Sequence, residues 1–150
     1  MNFILDIETK PDSNLVELFE SNIKPAGNLK DPVKIQADIS NKKAEARKLM
    51  SCDQDYCDVI CIGIKEIGGP SEIYTMDSIT DWFDKHFREN TTIITFNGKS
   101  FDIPIIIKSG IKRGLDLPYK RLKLMTEKYK SNGHIDLIQE LSFGSNNYKS

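Results

Sequence analysis

The sequence predicts an α/β domain built on a mixed sheet, and three observations carry that reading. An N-terminal stretch alternates as a strand, two later runs of apolar and β-branched residues read as sheet, and helix-spaced segments separate and follow them. The chain has 150 residues, which suits one domain and suffices to bury a substantial core.

Taken in order, "NFILDIE" reads as the first strand, with Phe3, Leu5 and Ile7 on one face and Ile4, Asp6 and Glu8 on the other. Pro11 ends it. From about Lys30 to Met50 the pattern is helical: Asp31 caps, Pro32 fits the first turn, and Ile35, Ile39, Ala46, Leu49 and Met50 supply a narrow apolar stripe. The rest of that stretch is so polar that it reads as a surface excursion. "DVICIGIKEI" reads as a strand covered on both faces, "GGP" as a turn, and "SEIYTM" as the returning strand. "SITDWFDKHFREN" follows helical spacing through Ile79, Trp82, Phe83, His86 and Phe87, with Ser78 and Asp81 close to a capping box. "TTIITFN" is a buried strand. "FDIPIIIKSGIKRG" is a helix with Ile103, Ile106, Ile107 and Ile111 on one side and Gly114 as its stop. A basic stretch then leads into "GHIDLIQEL", a short strand passing into a helix. The order of strand, helical insertion, two strands, helix, strand, helix, strand gives a mixed sheet with helices packed on it.

Composition narrows the function. The net charge is −1, which argues against a uniformly basic nucleic-acid binder but permits a basic track beside an acidic site. Residues 108–130 hold eight basic side chains against two acidic ones, a local balance of +6. No apolar run approaches the roughly 20 residues of a membrane span. No basic segment followed by an apolar one opens the chain, which predicts no export signal and a cytoplasmic protein. The three cysteines, Cys52, Cys57 and Cys61, read as reduced thiols, and their spacing does not match a zinc site.

Chemistry concentrates at the end of the first strand. Two carboxylates on one face of a strand end repel each other, and a divalent cation between them relieves the repulsion. Hard cations such as Mg2+ take oxygen ligands, and a pair of them can activate water and stabilise the leaving oxygen of a phosphodiester. Asp6 and Glu8, joined by Asp102 from "TFNGKSFDIP", have that chemistry if the strands converge. Taken alone, Asp102 reads more readily as a first-turn helix acid.

At these residues the sequence resembles a known family. "FILDIETKPD" resembles the first motif of the DEDD 3′–5′ exonucleases, and "NGKSFDIPIII" resembles their second motif in the family-B DNA polymerase version. "KDPVKIQADISNKKAEARKLM" and "HIDLIQELSFG" look like the predicted stand-alone exonucleases related to the polymerase proofreading domain. The resemblance implies a ribonuclease H-like fold with a five-stranded mixed sheet and flanking helices. It also implies two-metal hydrolysis with Mg2+ or Mn2+ at DNA 3′ ends. Carried over by position, Asp6, Glu8 and Asp102 match three of four metal-binding acids. Asn97 and Phe101 match contacts to the terminal nucleotides, and Thr9 a residue whose backbone lies beside them. Without the resemblance, Asn97 reads as turn chemistry and Phe101 as core.

The family carries its fourth acid on a third motif in a C-terminal helix, with a Tyr or His beside it. Here the chain ends in "SFGSNNYKS", and Tyr148 has no acid four positions on. The expectation is a domain over 1–150 that is C-terminally incomplete, without its closing helices. Asp136 is the internal candidate for a substitute metal ligand, on the premise that its strand runs beside the first. His134 is a candidate base or a hydrogen-bonded structural ring, and His86 reads as structural. The basic stretch would follow a phosphate backbone, with Tyr119 as a stacking platform or the lysines as a solvated face. The expected partners are single-stranded DNA or DNA 3′ ends, with RNA and a polymerase or replication protein as further options and no membrane. The competing function is a non-hydrolysing module that binds single strands or a polymerase.

Overall fold

A computed structural model describes residues 1–128 and 130–142. Tyr148, on which the third-motif expectation turns, lies outside the described residues. The chain divides into two compact units, one formed by residues 1–8 with 59–150, the other by 9–58.

A five-stranded sheet organises the first unit. Its strands are β1 (Asn2–Pro11), β2 (Cys57–Glu66), β3 (Ser71–Tyr74), β4 (Thr92–Thr95) and β5 (His134–Asp136), in the spatial order β3-β2-β1-β4-β5. β1 pairs parallel with β4, and β4 parallel with β5, while β2 and β3 are antiparallel. The mixed sheet and its flanking helices give the ribonuclease H-like α/β fold that the sequence predicts. β5 lies beside β4, however, so it does not run beside β1 as expected, because β4 takes that place in the sheet.

β1 alternates as its sequence requires. Phe3, Leu5 and Ile7 are buried, whereas Ile4, Asp6 and Glu8 are exposed. Helix α3 (Ile79–His86) covers the buried face through an aromatic cluster. Trp82 meets Phe3 edge-on at 5.1 Å, Phe83 meets Phe87 at 5.1 Å, and His86 stacks on Trp82 at 5.9 Å, which gives His86 its structural role. The Ser78–Asp81 capping box does not form: Ser78 Oγ instead accepts the Thr75 N–H at 2.9 Å, closing a turn ahead of the helix.

Helix α4 (Asp102–Arg113) buries Ile103, Ile105 and Ile106, and it stops at Gly114, whose φ of +66° favours a residue without a Cβ. Ile111 is 64% exposed, so the apolar stripe closes one turn earlier than its spacing suggests. β2 is likewise not covered on both faces: Ile60 stands 52% exposed. Continuous apolar sequence is compatible with one buried face as well as two. A further helix, α5 (Tyr119–Met125), occupies the basic stretch that sequence reading left without structure, burying only Leu122 and Met125.

The second unit carries two helices, α1 (Val16–Ser21) and α2 (Pro32–Met50). Asp31 caps α2 by accepting the Val33 N–H at 2.9 Å, and Pro32 opens it, as read from the sequence. Only Ala46 and Met50 are buried within α2 and Leu49 is exposed, as a surface helix requires. Glu20 ties α1 to α2. Arg47 donates to it at 2.6 Å and, with Lys43 at 3.2 Å, holds its carboxyl below the usual range.

Candidate active site

Three parallel strands end at one edge of the sheet, and the chemistry-bearing residues follow them. β1 delivers Asp6 and Glu8, β4 runs into the turn at Asn97, and β5 ends in Asp136. In open α/β sheets this carboxyl-end edge is where ligands bind.

Asp102 begins α4 and is 2% exposed. Burial, the largest influence, together with the facing charge of Asp6 and a smaller push from Asp136, lifts its carboxyl from an ordinary 3.8 to about 6. Its own N–H and that of Ile7 oppose the rise by hydrogen-bonding the carboxylate. The Ile7 contact fastens the start of α4 to β1. Asp6 and Asp102, 96 positions apart in sequence, therefore share one electrostatic environment. Glu8 lies two residues along the same exposed face as Asp6 but is not among the principal influences on Asp102.

The donor chemistry suits a hard divalent cation: the Asp6, Glu8 and Asp102 side chains offer carboxylate oxygens, and burial makes the Asp102 carboxyl hold its proton more readily. Among the described residues, no three His, Cys, Asp or Glu side chains are gathered closely enough to hold a metal ion ready-made.

The turn between β4 and α4 is tightly bonded. Asn97 adopts φ +66°, uncommon without glycine. Its N–H donates to Asp136 Oδ1 at 2.8 Å, and its carbonyl accepts the Ser100 and Phe101 N–H groups at 3.1 and 3.0 Å. Asn97 and Phe101 are both half-buried. Thr9 belongs to the second unit, where its hydroxyl donates to the Ser51 carbonyl at 2.5 Å.

His134 is buried and serves the same turn. Its Nδ1 faces the Met125 carbonyl at 2.9 Å, and since a carbonyl only accepts, Nδ1 carries the proton. Nε2 then accepts from Thr95 Oγ1 at 2.8 Å, and that hydroxyl in turn accepts the Gly98 N–H at 3.1 Å. Burial, the dominant influence, lowers the His134 pKa. A base role finds no support in this packing. A group with a lowered folded pKa stabilises the fold above its unfolded value and loses that contribution as pH falls. In an Asp102→Asn background, which removes an opposing titration, melting temperature is expected to fall as pH drops from about 6.5. Adding His134→Gln should flatten that slope, and an unchanged slope would refute the assignment.

The basic stretch divides by use. Arg121 lies 3.9 Å over the Phe87 ring and donates to the Thr91 carbonyl at 3.1 Å, Arg113 faces Asp77 at 3.4 Å, and Lys130 pairs with Glu127 at 2.8 Å. Tyr119 donates its hydroxyl to the Leu115 carbonyl at 2.7 Å, a structural use of the expected stacking ring. Lys120, Lys123 and Lys128 point to solvent. The cysteines are free thiols, and no described helix is long and apolar enough to cross a membrane.

Comparison with protein families matches residues 70–150, more than half of the chain, to the RNase_H superfamily. The chain belongs to the RNase_H superfamily. Among solved structures, this RNase_H superfamily chain is similar to the family B DNA polymerase from the hyperthermophilic archaeon Pyrobaculum calidifontis, at 14% identity and a TM-score of 0.50. The match covers 94% of this chain and 16% of that one, so the chain spans about a sixth of the polymerase's length. No curated protein matches.

Sequence reading missed the roles of Asp136, Thr95 and Lys99 in the site. Their long-range partners lie 31 to 40 positions away, and no local spacing signals such a bond.

Proposed function

We propose that this chain is a metal-dependent nuclease domain of the 3′–5′ exonuclease type, acting on DNA 3′ ends. The observation that carries the reading is the buried Asp102 carboxyl facing the charge of Asp6 at the carboxyl edge of an RNase_H-type sheet. Asp6, Glu8 and Asp102 would hold Mg2+ or Mn2+, two ions in the active state. Bound there, the ions supply the positive charge that activates water and stabilises the leaving oxygen of a phosphodiester. Asp102 would serve as a ligand in its ionised form, with its Ile7 contact keeping the carboxylate aimed at β1. Asn97 and Phe101, flanking the turn, orient the terminal nucleotide. Lys120, Lys123 and Lys128 meet backbone phosphates and make affinity salt-dependent.

A second reading, a module that binds single strands or a polymerase without hydrolysis, is favoured by the lack of a gathered metal cluster among the described residues. Digestion of oligonucleotides labelled at the 5′ or the 3′ end, with and without Mn2+, separates the two. The enzyme yields a Mn2+-dependent ladder shortened from the 3′ end, and Asp6→Ala lowers its rate on the order of 10³-fold or more. Intact substrate with retarded mobility supports the binding module. Asp6→Ala digesting at the wild-type rate rules out the metal-site assignment.

A further inference from the structure

The turn that delivers Asp102 is braced by residues outside the proposed ligand set. Asp136 ends β5 and is 1% exposed. Its Oδ1 accepts the Asn97 N–H at 2.8 Å and the Ile138 N–H at 3.3 Å, while its Oδ2 accepts the Lys99 N–H at 3.0 Å. Both oxygens are thus committed to backbone donors.

Lys99 ties the same loop a second time. It is 6% exposed, and its ammonium donates to the Lys130 carbonyl at 2.7 Å and to Gln139 Oε1 at 3.0 Å. Backbone and side chain of one residue are both anchored to the region around β5 and the short helix α6 (Leu137–Leu141). What is fixed there passes directly to the site. Asn97, held in its left-handed conformation, accepts the Ser100 and Phe101 N–H groups, and the Gly98 carbonyl accepts the Ile103 N–H at 3.0 Å. Asp102 lies between those last two donors.

We propose that Asp136, assisted by Lys99, is the positioning residue of this site: it enforces the left-handed turn at Asn97 and thereby sets where the Asp102 carboxylate stands relative to Asp6. Its catalytic consequence rests on the nuclease reading above, whereas the brace itself does not. The role also replaces the expectation that Asp136 serves as a substitute metal ligand.

The test compares wild type with Asp136→Asn, which keeps the size but turns an N–H donor toward the Lys99 N–H. Amide hydrogen exchange, Mn2+ affinity and digestion of a single-stranded oligonucleotide at saturating Mn2+ are measured well below each protein's melting temperature. Exchange at Asn97 and Lys99 is expected to accelerate tenfold or more while Phe3 and Leu5 in β1 stay protected, which separates loosening of the turn from general unfolding. Maximal digestion rate should fall at least tenfold, and Mn2+ affinity should fall less than in Asp102→Asn. Unchanged exchange at Asn97 and Lys99 overturns the proposal, as does faster exchange with unaltered digestion. Should Asp136→Asn not fold, Lys99→Met retains the Lys99 N–H but removes the second anchor, and it should accelerate the same two amides. If it does not, the brace is refuted. A wild-type chain that digests nothing defeats the nuclease reading alone, because amide exchange at Asn97 and Lys99 still decides the brace.

Discussion

Asp102→Asn is expected to abolish metal-dependent digestion while making the metal-free protein more stable at neutral pH. The carboxyl is lifted from 3.8 to about 6 by burial and by the charge of Asp6. A raised folded pKa means that stability is fully present below the unfolded value and is lost as pH climbs through the folded one. With chelator present, wild type should therefore weaken between about pH 4 and pH 6 and stay weakened above. The shift corresponds to roughly 2–3 kcal/mol. Asparagine still accepts from the Ile7 N–H but carries no charge, so the variant should melt about 5–8 °C higher at pH 8. Its digestion rate should fall on the order of 10³-fold or more. Calorimetric scans in chelator from pH 4 to pH 8 test the first half. Parallel curves for variant and wild type would show that Asp102 does not sit in an uncompensated acidic site. This opposition is characteristic of functional positions, where a fold tolerates an unfavourable group for what it binds.

Gly98→Ala should be among the most damaging small substitutions in the chain. A Cβ added there would stand inside contact distance of Thr95 Oγ1 and 2.5 and 2.6 Å from that residue's Cβ and Cγ2. Thr95 has no room to yield. It is buried and β-branched, and its hydroxyl is engaged with both His134 and the Gly98 N–H. Overpacking together with a broken buried hydrogen-bond chain should cost roughly 3–4 kcal/mol. For a chain of this size that lowers the melting temperature by about 10 °C. Adding Thr95→Ala removes Oγ1 and Cγ2, two of the three obstructing atoms, and leaves the Cβ, so the double variant should be more stable than the sum of the two losses allows. Strict additivity in a double-mutant cycle would mean that the two side chains do not compete for the same space.

Much of this architecture can be read from local patterns, and the misses have physical causes. The alternation of Phe3 to Glu8 places the core and the acids on opposite faces of β1, and Asp31–Pro32 and Gly114 mark helix ends through chemistry confined to a few residues. Helix α5 escapes notice because only Leu122 and Met125 are buried, one helical turn apart, too few for a periodic signal. Ile60 and Ile111 mislead because apolar sequence states what a residue tolerates, not what covers it. At the site, the order of the two motifs makes Asp6 and Asp102 legible as a pair. The brace is not legible: Asp136, Thr95 and His134 act through bonds spanning 39 positions to groups such as the Asn97 N–H. Nothing in "HIDL" announces which backbone donors it will meet.

The parallel pairing of β1 with β4 joins Asn2 to Thr92. No hairpin can nucleate that contact. A chain emerging from the ribosome carries its first two acids long before the segment that completes their setting has been made. Bringing Asp6 and Asp102 into one neighbourhood must therefore wait on one late, entropically demanding closure.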